Sequence, residues 1–207
     1  MEERIIAGTF LLLVALLLIM IFNFSPATLA IFWSFVITLG WLLLILYFIF
    51  ERQPTLFPME GEFIIAPADG RIMQISEEDG FDCIKIFMDI HNIHTQVVPY
   101  DGKVIDIKKI DGPNKRAYLA EAEHNKQVET TIETKLGTMK IKQLTGIMVR
   151  RIKTYPKTGQ SLKRGEKFGR ITFGSNVYLY LPKGKTRILV DINQDVKVGA
   201  TKLAVPV

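Results

Sequence analysis

Hydrophobic and polar positions follow two different patterns on either side of residue 50. Between Ile5 and Phe50 there is no Asp, Glu, Lys, Arg or His. A helix needs about 20 apolar residues to cross the hydrocarbon of a bilayer, so this stretch is too long for one crossing and long enough for two. Asn23-Phe24-Ser25-Pro26 interrupts it with turn-favouring residues. The pattern predicts one span over 5–22 and a second over 27–50, joined by a tight turn. Residues 1–52 would then form a transmembrane helical hairpin. A cleaved signal peptide fits less well, because the apolar stretch is doubled and no small-residue cleavage site follows it.

Residues 53–207 carry the second pattern. Pro54 and Pro58 mark a linker. After it come short β-rich runs over 63–66, 71–75, 83–88, 95–98, 103–108, 127–133, 138–144, 147–153, 167–173, 177–181 and 187–190. Several alternate apolar and polar residues, as in Val104-Ile105-Asp106-Ile107-Lys108 and Met139-Lys140-Ile141-Lys142. A period of two is the mark of a half-buried strand. Turn signals separate the runs at Asp69-Gly70, Asp79-Gly80, Asp101-Gly102 and Lys183-Gly184. The expected fold is an all-β, barrel-like or sandwich-like catalytic domain. Only 111–125 departs from this pattern, and it reads as a loop or short helix on the strand scaffold.

Charge changes the picture in one respect. Removing Glu2, Glu3 and Arg4 from 26 Lys+Arg and 21 Asp+Glu leaves 25 against 19 in the region from Glu51 onward. A basic domain would suit a nucleic acid or an anionic membrane surface equally well. The apolar anchor selects the membrane, so no nucleic-acid partner is expected. A hairpin returns the chain to the side it started from, and the basic domain favours the cytoplasmic side of the cell membrane. Cys83 is the sole cysteine, lies in an apolar run and reads as a small core residue.

Four places could carry chemistry. Ala66-Pro67-Ala68-Asp69-Gly70 reads first as a β-turn. His91-Asn92-Ile93-His94 holds two of the chain's three histidines, which converge only if the segment is a turn or helix. A metal pair has no obvious further ligand there, so no metal is expected. Phe173-Gly174-Ser175-Asn176 reads as a strand-to-strand bend, and it lacks the second glycine of a nucleophile elbow. Met139-Lys140 invites comparison with cofactor-carrying lysines, but Lys140 lies in the middle of an alternating strand. An Asp, a His and a Ser in separate loops allow a nucleophilic triad, whose chain order varies between folds. On these residues alone a membrane-anchored Ser/His/Asp peptidase and a non-catalytic β module both stay open.

Taken as an ordered set, the motifs resemble phosphatidylserine decarboxylases in their short archaeal and bacterial form. Ala66-Pro67-Ala68-Asp69-Gly70 is similar to that family's Asp motif, and His91-x-x-His94 with Val98-Pro99 and Gly102 to its His motif. Phe173-Gly174-Ser175, with Val177 and Leu181-Pro182, is similar to its processing site, although Asn176 stands where longer bacterial members carry Thr. The resemblance implies self-cleavage between 174 and 175, with His94 as base, Asp69 orienting it, and Ser175 attacking the Gly174 carbonyl. It implies a large chain (1–174) and a small chain (175–207) that stay together as a heterodimer. The small chain would begin with a covalent pyruvoyl group (bound pyruvate) made from Ser175, which forms a Schiff base with the substrate amine. His91 would be the proton donor to the product. The implied substrate is a serine-headgroup phospholipid, phosphatidylserine or archaetidylserine, decarboxylated to the ethanolamine phospholipid. Arg150, Arg151 and Lys153 are candidates to meet its phosphate, against a solvated strand face.

Overall fold

A computed structural model describes residues 25–54, 60–113, 115, 123–146, 151–171 and 174–207. The expected first span, 5–22, lies outside the described residues, as do Arg150 and Phe173. By their contacts the chain falls into two compact units, Met1–Phe48 and Ile49–Val207.

One helix is described before the β region, α1 (Pro26–Glu51). Its start follows from local chemistry. Pro26 is at the first helical position, where a missing N–H costs nothing, and the Ser25 hydroxyl accepts from the Thr28 amide at 3.3 Å. No residue of its most apolar 18-residue window is buried, and that window has a mean hydropathy of 2.5. At about 1.5 Å per residue, 26 residues reach roughly 39 Å, longer than the roughly 30 Å hydrocarbon core.

The second unit is built from fourteen described strands in three antiparallel sheets: β1 (Ile64–Ile65), β2 (Gly70–Glu78), β3 (Phe81–Met88), β4 (Thr95–Val97), β5 (Gly102–Ile110), β6 (Gln127–Thr134), β7 (Gly137–Leu144), β8 (Ile152–Thr154), β9 (Ser161–Leu162), β10 (Lys167–Ile171), β11 (Ser175–Pro182), β12 (Thr186–Ile188), β13 (Asp195–Val196) and β14 (Lys202–Pro206). The large sheet runs β13-β2-β3-β11-β7-β6-β5-β9, and the small ones run β1-β14-β12 and β4-β10-β8. Alternation sets the faces: in β7, Met139 and Ile141 are buried while Lys140 and Lys142, which alternate with them, are half-buried. The buried rows of the large sheet (Ile72, Ile84, Ile86, Ile141, Val177, Leu179) share one core with Phe168 and Ile171 of β10. The small β4-β10-β8 sheet is thereby packed on the large one. The β2–β3 turn bears out its Asp-Gly signal, with positive φ at both Asp79 (49°) and Gly80 (80°).

Two details differ from expectation. The processing-site strand begins at Ser175 and not at Val177, so the described bend lies at Gly174, before the strand. Strands β9, β13 and β14 were not anticipated: two of them have only 2 residues, and β14 ends in Pro206. Runs that short carry no periodicity to read.

Gly70 joins the Asp motif to β2, and a Cβ there would run into the Phe87 carbonyl oxygen of β3. Gly70→Ala is expected to push β2 off β3 and lower the unfolding temperature or abolish soluble expression, as read by thermal melts. A wild-type melt for that variant would contradict the strand spacing.

Candidate active site

Ser175 is the first residue of β11, where its pairing partner is Met88, the last residue of β3. Because β11 lies between β3 and β7, consecutive residues Ser175 to Leu179 are all buried. The Ser175 side chain has no solvent exposure, and its hydroxyl lies 3.7 Å from Met88 Sδ, a weak acceptor. Gly174 before it has a φ of 58°, in the left-handed region. A Cβ at Gly174 would meet nothing within 4 Å, so glycine is required there by backbone conformation and not by space.

The two histidines part company. Residues 89–92 form a turn in which the Asn92 amide donates to the Asp89 carbonyl at 3.1 Å and the Asp89 amide donates to Asn92 Oδ1 at 2.7 Å. His91 is exposed on this turn, and its carbonyl accepts from the Arg52 guanidinium. His94 lies beyond the turn at 0% exposure. Its carbonyl accepts from the Ile171 amide at 3.3 Å and from Gln96 Nε2 at 3.1 Å, which fixes its backbone to β10 and β4.

Asp69, 3% exposed, holds the histidine turn from the other side. Its Oδ2 accepts from Asn92 Nδ2 and from the Ile93 amide, both at 3.1 Å, and its Oδ1 is 3.7 Å from the exposed Lys197 ammonium. A buried carboxylate needs such partners. Its charge also acts on His94. Burial is the largest influence on that imidazole and pushes its pKa down to about 4, helped by the Arg170 and Arg52 cations and opposed by Asp69 and the Asn92 backbone. His94 is therefore neutral at physiological pH and able to accept a proton.

Sequence reasoning did not single out Asn92, Arg52, Arg170 or Lys197. Asn92 is the one that could have been found, since Asn side chains bond backbone groups in turns. The other three are brought in by strands and a linker distant in sequence. Cys83 is buried and its thiol is pushed up to about 12, chiefly by burial, which leaves it as core packing. Arg151 and Lys153 are exposed. Among the described residues no three His, Cys, Asp or Glu side chains converge as metal ligands.

Comparison with known proteins identifies the arrangement. The family model for phosphatidylserine decarboxylase matches residues 43–204, a region that contains Asp69, His91, His94, Gly174 and Ser175. The chain belongs to the phosphatidylserine decarboxylase family. A phosphatidylserine decarboxylase proenzyme from Burkholderia pseudomallei is 36% identical over 173 residues, covering 79% of this chain and 80% of the relative. One from Syntrophus aciditrophicus is 36% identical over 165 residues, covering 74% and 76%. A third relative, from Halobacterium salinarum, carries a provisional name as an archaetidylserine decarboxylase proenzyme and is 35% identical over 158 residues, covering 75% and 78%. No solved structure matches this chain. Family membership sets aside the peptidase and carrier readings.

The depressed pKa of His94 has a consequence for stability. Between the unfolded value near 6.5 and the folded value near 4, the unfolded chain binds the extra proton. Stability contributed by neutral His94 is therefore present above about pH 6.5 and is lost as pH falls toward 4. Chemical denaturation at pH 7 and pH 5 should show wild type losing more stability than His94→Gln. Equal losses in the two proteins would contradict the burial of the imidazole.

Proposed function

We propose that the chain decarboxylates a serine-headgroup phospholipid, phosphatidylserine or archaetidylserine, to the ethanolamine phospholipid, after cutting itself between Gly174 and Ser175. The observation that carries this reading is the zero exposure of Ser175. A hydroxyl with no solvent exposure meets no external polypeptide. The acyl carbon next to it along the chain is that of Gly174, whose left-handed turn leaves room for the approach.

His94 takes the Ser175 proton, and Asp69 holds the turn that carries His94 and offsets part of the charge it gains. Ser175 Oγ bonds to the Gly174 carbonyl carbon, the C–N bond breaks, and the amine nitrogen takes up the proton, leaving an ester. Loss of the Ser175 α-proton then breaks the Cβ–O bond and frees the Gly174 carboxylate. Tautomerisation and hydrolysis of the resulting enamine release ammonia and leave a pyruvoyl group. That group supplies an electron sink for the pair left behind by CO₂. Ser175 fits the requirement: it is the first residue of β11, paired with Met88 of β3, and the residue after it, Asn176, is paired on both sides. His91, exposed on the turn beside the buried pair, is the candidate donor of the proton that replaces CO₂.

The two products stay together as large (1–174) and small (175–207) chains. The small chain holds β11 to β14, which pair with β3, β7, β2 and β1 of the large one. Residues 1–52 form a two-helix membrane hairpin and 53–207 the catalytic domain on the cytoplasmic side. Tethering the domain at the bilayer raises the effective concentration of headgroups.

Intact mass of denatured protein tests the reading. Two pieces are expected, the small one starting with a pyruvoyl group in place of Ser175, and Ser175→Ala should stay whole. A single 207-residue species with decarboxylase activity would sink the proposal. His94→Ala and Asp69→Asn should both block or strongly slow the cut in folded protein.

His91→Ala should still be cut while CO₂ release from a serine phospholipid falls by about 10²–10⁴-fold, the range for a lost general acid or base. Wild-type turnover in that variant would make His91 a bystander, and a failure to cut would reverse the roles of the two histidines.

A further inference from the structure

A chain of buried side-chain amides runs behind the site, reaching His94 directly and Ser175 through Met88. Thr154 of β8 donates through its hydroxyl to Gln143 Oε1 at 2.7 Å. Gln143 of β7 donates through Nε2 to Gln96 Oε1 at 2.9 Å. Gln96 of β4 then uses its two amide hydrogens for two acceptors: the His94 carbonyl at 3.1 Å and Met88 Sδ at 3.6 Å. The same Met88 sulfur is the acceptor 3.7 Å from the Ser175 hydroxyl. Gln96, Gln143, Met88, His94 and Ser175 all have 0% exposure.

Resting on the self-cleavage reading above, we infer that Gln96, locked in place by Gln143 and Thr154, is a positioning residue that sets His94 against Ser175. The two reacting groups belong to different sheets. Ser175 is on the large sheet, and His94 immediately precedes β4 of the small one. Gln96 and Gln143 form a hydrogen bond that joins the sheets through side chains at this point. Its far end then branches to the backbone of the base and to the residue holding the nucleophile's hydroxyl.

Gly169 of β10 supports a dedicated arrangement. A Cβ there would come within 2.5 Å of the Lys153 carbonyl oxygen and 2.6 Å of Gln143 Nε2. The missing side chain is the space the amide occupies. A buried amide costs stability unless fully paired, and a leucine of similar size would fill the same volume without that demand. Orientation supplies a reason for the polar choice. Gln96 has two donors and one acceptor oxygen, and here all of them are engaged in mutually consistent directions.

The test follows proenzyme cleavage over time in freshly made protein, beside its thermal melt. Gln96→Leu should be cut about 10- to 100-fold more slowly than wild type at a temperature where both are folded, the scale expected of a sub-ångström to ångström misplacement. Hydroxylamine added to the uncut variant should release little extra fragment, because the defect precedes the ester. A merely structural glutamine would lower the melt and leave the folded protein's cutting rate alone, and that result would overturn the inference. Should Gln96→Leu fail to fold, the paired Gln96→Leu/Gln143→Leu protein leaves no orphaned amide and should fold yet cut as slowly. Thr154→Val should slow cutting while Thr154→Ser restores it, and equal rates in those two would also count against the relay. His94→Ala separates this inference from the reading beneath it. If that variant cuts normally, the base assignment fails. If it does not cut while Gln96→Leu cuts normally, only the positioning role fails.

Discussion

Exclusion of water from one serine and one imidazole is the constraint on which the site depends. In water, a serine hydroxyl is a poor nucleophile and an imidazole is partly protonated near neutral pH. The core changes both. Burial holds His94 in its neutral form, and the Arg170 and Arg52 cations push in the same direction. Ser175 is withdrawn from every solvent-borne competitor and left beside its own backbone. The cost of burying polar groups is met by specific partners: the Asn92 and Ile93 donors on Asp69, and the amides of Ile171 and Gln96 on the His94 carbonyl.

Strand order explains how the protein could keep its fold through the cut proposed between Gly174 and Ser175. Strand β11 is central in the large sheet, with β3 on one side and β7 on the other, and both neighbours come from the part of the chain before the cut. Its eight residues pair with β3 in continuous register from Ser175 against Met88 to Pro182 against Phe81. A cut after Gly174 would open the chain at a turn residue with positive φ and leave every one of these pairings in place.

What could be read from sequence tracks the range of the interactions involved. The alternation in 138–144 and the Asp-Gly turn at 79–80 are local, and both appear as expected. The Asp, His and Ser motifs were legible because each is a short composite of unusual residues. Ser175 was misread as lying in a bend because Gly174 dominates its neighbourhood, whereas pairing with Met88 and the neighbouring β7 makes it strand. Gln96, within Thr95–Val98, looked like one polar position in a strand. Nothing local says that its amide meets Gln143, 47 residues away. Pairings of that kind follow from topology, which local periodicity does not encode.

The different exposures of the two histidines suit the two tasks proposed for them, which make opposite demands. A base used once needs protection from protonation and a fixed line to its nucleophile, and it need not be recharged. A proton donor used in every catalytic cycle must recover its proton from solvent each time, and a fully enclosed imidazole whose cationic form is disfavoured does this poorly. His94 meets the first demand at 0% exposure. His91, three residues earlier, is on the outside of a turn pinned by Asn92 within and by Arg52 of the linker. A strand would have sent residues 91 and 94 to opposite faces of a sheet, and a helix would have placed both on one face. A turn running into a strand puts one histidine in solvent and the next in the core.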